Sequence, residues 1–407
     1  MKNNTGSISS KFLIPILTTC VLIFLAFKFF EPLFVYNSGW KELEIDTRPT
    51  TSEFFGEQWK SQAASANLIA ADLYSEINSP ALSIAVSVDG NIVWRSSIGY
   101  ADLENQIPNS YDHAFRIGST SKPITSVAIG TLVDQGKLEF NAKIRDLDPS
   151  LSENLNDVTL EHALSHRTGI RNYGVCICFP IWEHQNTKQY SSVREAISVI
   201  EGSKLLSESG TKYSYTSLGY NLAGLAAEKS TDQSFAKTVA TSVLVPLKMD
   251  HTYLEDSVPI NKSIEVAKPY EIKDGRYKPT FDVNQSIRWP SGGFLSTPSD
   301  MTKLGNAMLD DHLLSKEVRT KLLSVPTDGR TNGGEIYALG WRVSDWTLEG
   351  GNRSKSFHHN GVSVGGVSAF AVFPEEKLVI SAMINKNARN AKQLTKIIGP
   401  LASIFAQ

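Results

Sequence analysis

The chain has 407 residues, 41% of them hydrophobic and 20% charged, a composition typical of a globular protein with one large domain or two. Its 40 Lys and Arg residues nearly balance 42 Asp and Glu residues, which leaves a formal net charge of −2. Because no excess of positive charge is present, nucleic acid is excluded as a partner.

The N-terminus carries an uncharged, strongly apolar run between Lys11 and Lys28. We interpret residues 1–35 as a retained membrane anchor, because the residues after the run make a poor signal-peptide cleavage site. A lipoprotein cleavage box ending at Cys20 is an alternative interpretation. Two lysines and no acid precede the run, so the positive-inside rule favours an extracytoplasmic catalytic domain, on the periplasmic side of the inner membrane if the source is bacterial.

After the anchor, residues 36–52 are polar and are predicted to form a stalk, and a helical pattern follows over about residues 53–77. Residues 82–88 and 91–98 alternate apolar and polar positions around Asp-Gly, which predicts a β-hairpin. Residues 367–373 and 377–384 predict a second hairpin near the C-terminus.

The stretch between the two hairpins has mainly helical patterns from Ser119 to about Pro246. We therefore expect an α+β fold in which early and late strands meet in one antiparallel sheet. The predicted catalytic domain covers residues 53–407. Within it, residues 79–118 and 337–407 form the sheet lobe, and residues 119–336 form the helical lobe and loops.

Three cysteines occur, namely Cys20 and the pair Cys176 and Cys178 in a C-x-C arrangement. A disulfide across one intervening residue is strained, and no framework of further cysteines exists. We interpret the pair as loop thiols, with a redox or metal role as the alternative.

Ser119 and Lys122 stand three residues apart at the predicted start of a helix, in Gly-Ser-Thr-Ser-Lys. At this spacing the two side chains share one face of the helix. A serine hydroxyl needs a base to become a nucleophile, and a desolvated lysine with a lowered pKa is such a base. The pair therefore indicates acyl-transfer chemistry, although an ordinary capped helix has the same sequence pattern.

Two other places offer polar groups that acyl transfer needs as proton shuttle and oxyanion donors. One is the turn-rich run around Tyr215 and Ser217, just before a predicted helix. The other is His359-Asn-Gly-Val362, where glycines let a strand approach a ligand closely and His359 is able to donate a hydrogen bond or charge.

Taken in order, Ser119-Thr-Ser-Lys122, Tyr215-Thr-Ser217 and His359-Asn-Gly361 resemble the motifs of the serine β-lactamase-related family. That family includes class C β-lactamases, DD-peptidases, esterases and membrane-anchored serine proteases. Leu164-Ser-His-Arg-Thr-Gly-Ile170 and Ser291-Gly-Gly-Phe294 also read like its signature loops. The resemblance runs from about residue 79 to residue 407 and implies a β-lactamase/DD-peptidase-like fold.

The resemblance also implies roles for these residues. Ser119 would be acylated, Lys122 would help to remove its proton, and Tyr215 would share general base and acid duty. Ser217 would be a further catalytic residue, while His359, Asn360, Gly361 and Val362 would bind the substrate. The N–H groups of Ser119 and Val362 would bind the oxyanion. No cofactor and no metal are implied.

The sequence departs from the family pattern at two motif positions. Ser217 replaces the usual asparagine of Y-x-N, and a serine has a shorter reach than an amide. His359 replaces the usual lysine, so a cation is only partly present at neutral pH. We therefore expect weak β-lactamase activity at best, with an ester or peptide bond as the more natural substrate.

A non-catalytic ligand sensor tethered to the membrane is the main alternative, and a self-assembling structural protein of the same fold is another. Intact Ser119, Lys122 and Tyr215 favour the enzyme. The substrate depends on pocket shape, which is set by long loops at residues 175–189 and 257–289, and the oligomeric state is left open.

Overall fold

The computed structural model describes residues 10–42, 48–175, 182–257, 265–326, 336–349 and 351–406. Cys176 and Cys178 lie outside the described residues. In the described ranges the helices are α1 Ser10–Asn37, α2 Lys60–Ile77, α3 Ser121–Asp134, α4 Ile144–Leu147, α5 Leu160–Leu164, α6 Val193–Ile197, α7 Asn221–Thr231, α8 Phe235–Val239, α9 Trp289–Gly292, α10 Pro298–Asn306, α11 Lys316–Leu323, α12 Lys392–Thr395 and α13 Ile398–Phe405.

The strands are β1 Lys41–Glu42, β2 Thr50–Phe54, β3 Ala81–Val88, β4 Asn91–Asp102, β5 Ile107–Pro108, β6 Phe115–Arg116, β7 Tyr253–Leu254, β8 Tyr270–Lys273, β9 Arg276–Pro279, β10 Phe294–Ser296, β11 Ile336–Tyr337, β12 Arg342–Thr347, β13 Arg353–Ser363, β14 Gly366–Phe373 and β15 Leu378–Ile384.

The main sheet has the strand order β11-β12-β13-β14-β15-β3-β4-β2, and β5 pairs with β4. Both predicted hairpins are confirmed. The first turns at Asp89 and Gly90 with φ of 48° and 81°, as a two-residue hairpin loop requires. The last strand β15 pairs antiparallel with the early strand β3, so Ile384 lies opposite Leu82 and the two ends of the chain close one sheet.

Helices cover both faces of this sheet, which gives the predicted α+β architecture. Along β15 the side chains alternate, so that Ile380 and Ala382 join α2 and α13 in one core while Val379 and Met383 join the helical lobe in the other. Because both faces are covered, β3, β14 and β15 are buried along their whole length. Their sequences are accordingly rich in apolar residues, and the serines at 83 and 87 in β3 are buried with them.

The predicted helix at Ser119 is also present. A short 3-10 turn, Gly118–Thr120, leads into α3, and twelve of the 14 residues of α3 are buried. A helix that is apolar on all sides belongs in a core, and α3 packs against α7, α9 and α11. Its first turn meets the main sheet at β13, which places Ser119 at the seam between the two lobes.

The N-terminal helix α1 contains the stretch Leu13–Glu31, 19 residues with a mean hydropathy of 2.3 and no burial (0%) against the rest of the protein. By length and composition this stretch is able to cross a membrane.

The segment predicted as a stalk contains two strands that pair with the rest of the protein. Strand β1 pairs with β9, where the Trp40 ring lies 4.8 Å from the Lys278 ammonium nitrogen. Strand β2 pairs with β4 at the sheet edge. The helix predicted from about residue 53 begins only at Lys60. Strand β2 continues to Phe54, and Gly56 then has a φ of 101°, which is not a helical conformation.

Candidate active site

Ser119 contacts two titratable side chains, one from the next turn of the chain and one from a distant segment. The Lys122 Nζ is 3.1 Å from the Ser119 Oγ, and the Tyr215 hydroxyl is 2.8 Å from the same oxygen. Lys122 comes from the first turn of α3, one turn after Ser119, whereas Tyr215 comes from the turn-rich run before α7. Ser119 is half-buried.

Lys122 is fully buried, with 0% of its surface exposed. Its amine lies 2.9 Å from the Ser291 carbonyl oxygen and 3.5 Å from the Ser217 hydroxyl, in addition to Ser119. Burial lowers the pKa of Lys122 well below its ordinary value, and the positive charges of Arg342 and Arg288 lower it further. A neutral amine is therefore favoured, and a neutral amine is able to accept a proton.

The phenol of Tyr215 keeps its proton at neutral pH. Burial raises the pKa of Tyr215 above its ordinary value, and the hydrogen bond to Ser119 offsets only part of that increase. The Lys122 Nζ lies 4.8 Å from the centre of the Tyr215 ring. A protonated phenol and a neutral amine thus face one hydroxyl, which is an arrangement able to donate and accept protons at the same atom.

Ser217 is 8% exposed, and its hydroxyl faces the Lys122 amine. Its backbone N–H donates to the side-chain carbonyl of Asn172 over 3.0 Å. Asn172 is exposed and brings an amide to the position beside Ser217. Sequence reasoning missed Asn172, because it lies 45 residues before Ser217 and only folding brings the two together.

Strand β13 passes directly against the backbone before the nucleophile. A Cβ built on Gly361 would lie 1.7 Å from the Ile117 carbonyl oxygen, and one on Gly118 would lie 2.7 Å from the Val362 nitrogen. Only glycine allows this approach. Val362 is 37% exposed and Asn360 is half-buried at the same edge.

The side chain of His359 differs from the expectation of a partly charged group in the cleft. It is fully buried, its Nδ1 bonds the Asn360 carbonyl oxygen at 2.8 Å, and its Nε2 lies 3.0 Å from the Tyr337 hydroxyl. Since Nδ1 must donate to a carbonyl, Nε2 is the acceptor for Tyr337. Burial lowers the pKa of His359 well below its ordinary value, helped by Arg342 and Lys122, and the ring is neutral.

Two arginines that sequence reasoning missed supply the positive charge of the site. The Arg342 guanidinium carbon lies 5.8 Å from the centre of the Tyr215 ring and 5.7 Å from that of Tyr337. Arg288 is 9% exposed, and its guanidinium carbon lies 5.0 Å from the centre of the Tyr173 ring. No spacing in the sequence connects either arginine with Ser119.

An antiparallel sheet and a helical lobe with a serine, a buried lysine and a tyrosine at their seam define the class of serine hydrolases related to penicillin-binding proteins. The family model described as Beta-lactamase matches residues 56–398. The chain therefore belongs to the β-lactamase family, a family of serine hydrolases, as its motifs predicted.

Individual relatives agree with this assignment. The chain is 25% identical over 384 residues to the mitochondrial serine beta-lactamase-like protein LACTB of Homo sapiens. The matched region covers 74% of this chain and 70% of the relative. The octameric penicillin-binding protein homologue from Pyrococcus abyssi matches with a TM-score of 0.69 and 24% identity, over 84% of this chain and 76% of that one. The D-amino acid amidase from Ochrobactrum anthropi SV3 has a TM-score of 0.70 and 19% identity, over 84% and 98%.

Proposed function

We propose that the protein is a serine hydrolase that cleaves an ester, amide or peptide bond through an acyl-enzyme on Ser119. The observation that carries the proposal is the position of the Ser119 Oγ, 3.1 Å from a buried lysine amine and 2.8 Å from a tyrosine hydroxyl. A nucleophile within hydrogen-bond reach of a base is the arrangement that covalent catalysis requires.

In the first half-reaction the Ser119 oxygen attacks the carbonyl carbon of the substrate and its proton passes to the neutral Lys122 amine. The bond to the leaving group then breaks, and the leaving group takes a proton from the Tyr215 hydroxyl, which Lys122 reprotonates. In the second half-reaction water attacks the ester on Ser119, with the same two groups now accepting the proton and returning it to the Ser119 oxygen.

The negative charge that develops on the carbonyl oxygen would be bound by the backbone N–H groups of Ser119 and Val362. This assignment is supported by the close contact of the Gly118 and Val362 backbones. One well-placed donor of this kind is worth about 3 kcal/mol in the transition state. The half-buried Asn360 and the glycine at 361 complete this edge of the cleft.

The substrate class follows from the polar groups around the cleft. Ser217 offers a hydroxyl instead of an amide, and Asn172 brings an amide beside it. His359 is buried and neutral, so the third motif does not supply the cation that would attract an anionic substrate group. We propose that β-lactams are poor substrates and that esters or peptides are turned over faster. Equal turnover of cephalosporins and simple esters by the purified protein would contradict this.

Active-site labelling tests the proposed function. The purified protein is incubated with a fluorophosphonate or a fluorescent penicillin, and the adduct is mapped by mass spectrometry. We expect the adduct on Ser119 and no label on Ser119→Ala, whereas Ser230→Ala, changed on α7 outside the site, labels like the wild type. A folded protein that labels at no residue would overturn the proposal and favour a ligand sensor.

We further propose that α1 tethers the catalytic domain, residues 53–407, to a membrane, with that domain outside the cytoplasm. The apolar stretch Leu13–Glu31 supports the tether, and the lysines before it support the orientation. Membrane fractionation tests the first point: the full chain is expected to resist alkaline carbonate and to dissolve in detergent, and a variant without residues 1–37 to stay in solution. Alkaline phosphatase fused after residue 407 is active only if the domain is exported, so an inactive fusion overturns the orientation.

A further inference from the structure

His166 is a fully buried histidine that the proposed reaction does not use. It follows α5 and has a φ of 60°, a left-handed conformation that only a small share of residues other than glycine adopt. Its contacts go to the segment that carries Tyr215.

Three contacts join His166 to three consecutive residues. Its backbone carbonyl accepts a hydrogen bond from the Ser214 N–H over 2.8 Å. Its ring Nδ1 accepts one from the Thr216 N–H over 3.2 Å. Between these two, its ring lies against the Tyr215 ring, with the centroids 4.1 Å apart at 39°. The residue on each side of Tyr215 is thus bonded to His166, and Tyr215 itself is packed on the His166 ring.

The hydrogen bond to Thr216 also settles the state of the ring. Because Nδ1 accepts, the proton of the neutral imidazole resides on Nε2, which has no hydrogen-bond partner among the described residues. Burial lowers the pKa of His166 well below its ordinary value, and the charges of Lys122 and Arg342 act in the same direction. The titratable groups that face the ring are Tyr213, Tyr215, Tyr220, Tyr337, His359, Lys122 and Arg342.

We propose that His166 is a positioning residue that holds the Tyr215 phenol against Ser119, through the Nδ1 acceptor for Thr216 and the ring under Tyr215. This inference rests on the proposed acyl-enzyme function. The Tyr215 segment is a turn-rich loop without a regular ladder, so its backbone N–H groups need acceptors from elsewhere. Because His166 has a left-handed backbone conformation, its carbonyl oxygen and its Nδ1 both face the backbone of residues 214–216.

Core filling is the alternative role for a buried ring, and a matched pair of substitutions separates the two. Asparagine and leucine have nearly the same shape, and both lack the ring. Asparagine keeps an acceptor at the position of Nδ1 and tolerates a positive φ, whereas leucine has no acceptor. If the His166 ring only fills the core, His166→Leu is expected to be the more active variant. If the hydrogen bond to Thr216 positions Tyr215, His166→Asn is expected to be the more active variant.

The experiment measures kcat/KM, which reports the acylation step, of His166→Asn and His166→Leu on two esters of the same acid, a p-nitrophenyl ester and an ethyl ester. In acylation the ethyl leaving group needs a proton from Tyr215, and the p-nitrophenolate leaves without one. For the ethyl ester we expect His166→Leu to lose about 100-fold in kcat/KM, the loss that a misplacement of about 1 Å produces. His166→Asn is expected to keep kcat/KM within about fivefold, and both variants lose less on the p-nitrophenyl ester.

Controls keep the outcome interpretable. His162→Asn changes a histidine of the same segment that bonds Thr159 and Ser209 instead, and it is expected to leave both rates unchanged. In a Tyr215→Phe background, His166→Leu is expected to add no further loss, because the group that it positions is already absent. Equal losses on both esters, or greater activity of His166→Leu than of His166→Asn in folded protein, would overturn the positioning role.

Failure of this inference is distinguishable from failure of the proposed function. If Ser119→Ala still labels, the acyl-enzyme is elsewhere and the proposed function falls. If Ser119 carries the label and His166→Leu is as active as the wild type, only the role of His166 is lost.

Discussion

The Tyr215 hydroxyl lies 2.8 Å from the Ser119 hydroxyl oxygen, although 96 residues separate the two along the chain. Ser119 is fixed by the turn that leads into α3, and Tyr215 by a loop before α7, so the contact depends on the packing of the two helices. Because the phenol stays protonated, this contact gives Ser119 a proton donor beside the amine of Lys122.

Tyr215→Phe is expected to lower kcat by about 10²- to 10⁴-fold, the usual share of a general acid or base. The ring still fills its place, so the protein folds and the melting temperature changes little. The loss is measured on an alkyl ester, whose leaving group needs a proton. Tyr213→Phe removes the hydroxyl of a neighbouring tyrosine that is not bonded to Ser119, and it serves as the control. Wild-type turnover by Tyr215→Phe would exclude the phenol from proton transfer.

Lys122→Met is expected to be more stable than the wild type at pH 7. Folding lowers the pKa of Lys122 below the unfolded value, so between the two values the unfolded chain holds one more proton and wild-type stability rises with pH. The slope from this group is at most about 1.4 kcal/mol per pH unit. Urea unfolding at several pH values measures the difference in the free energy of unfolding between Lys122→Met and the wild type. This difference becomes smaller as the pH approaches 10.5.

Lys60→Met, which makes the same substitution at an exposed lysine, is the control for this measurement. If Lys122→Met were less stable than the wild type by the same amount at every pH, the result would indicate that the Lys122 amine is charged in the folded protein.

Arg342→Gln is expected to move the acid limb of the rate profile to higher pH. The positive charge of Arg342 disfavours the ammonium form of Lys122, so its removal raises the pKa of the base, and a base with a higher pKa is lost to protonation at a higher pH. The measurement is kcat/KM against pH for one neutral ester. Arg353→Gln, on the exposed end of β13 beside Asp345, is the matched control. If the acid limb does not move in Arg342→Gln, the charge of Arg342 does not influence the protonation of Lys122.

Gly361→Ala is expected to abolish acylation and to destabilise the protein, because the new Cβ would lie 1.7 Å from the Ile117 carbonyl oxygen. Strand β13 then has to move away from the nucleophile. Gly90→Ala is the comparison, because nothing lies within 4 Å of its added Cβ. It is expected to be destabilised only by its positive φ, by about 1 kcal/mol. Fluorophosphonate labelling and thermal melts of both variants test the difference. Normal labelling of a folded Gly361→Ala would contradict the close approach of β13.

Local patterns in the sequence were sufficient for both hairpins and for α3. The Asp89-Gly90 turn between alternating strands predicted the first hairpin, and the apolar run after Ser119 predicted α3. The start of α2 was predicted too early, because Thr50–Phe54 forms a strand only where the edge of β4 is available to pair with it. A five-residue exposed segment carries no alternation that signals such pairing.

By itself, the sequence determined the fold class, the family and the closeness of Ser119 to Lys122, since hydrophobic periodicity and short spacings express contacts within one element. Only the tertiary structure decided which charges and hydroxyls surround that pair. It buried His359 behind Tyr337, brought Arg342 over the Tyr215 ring and set Asn172 beside Ser217. Burial and charge depend on neighbours from remote segments, and that dependence is why the state of each titratable group emerged only once the chain was folded.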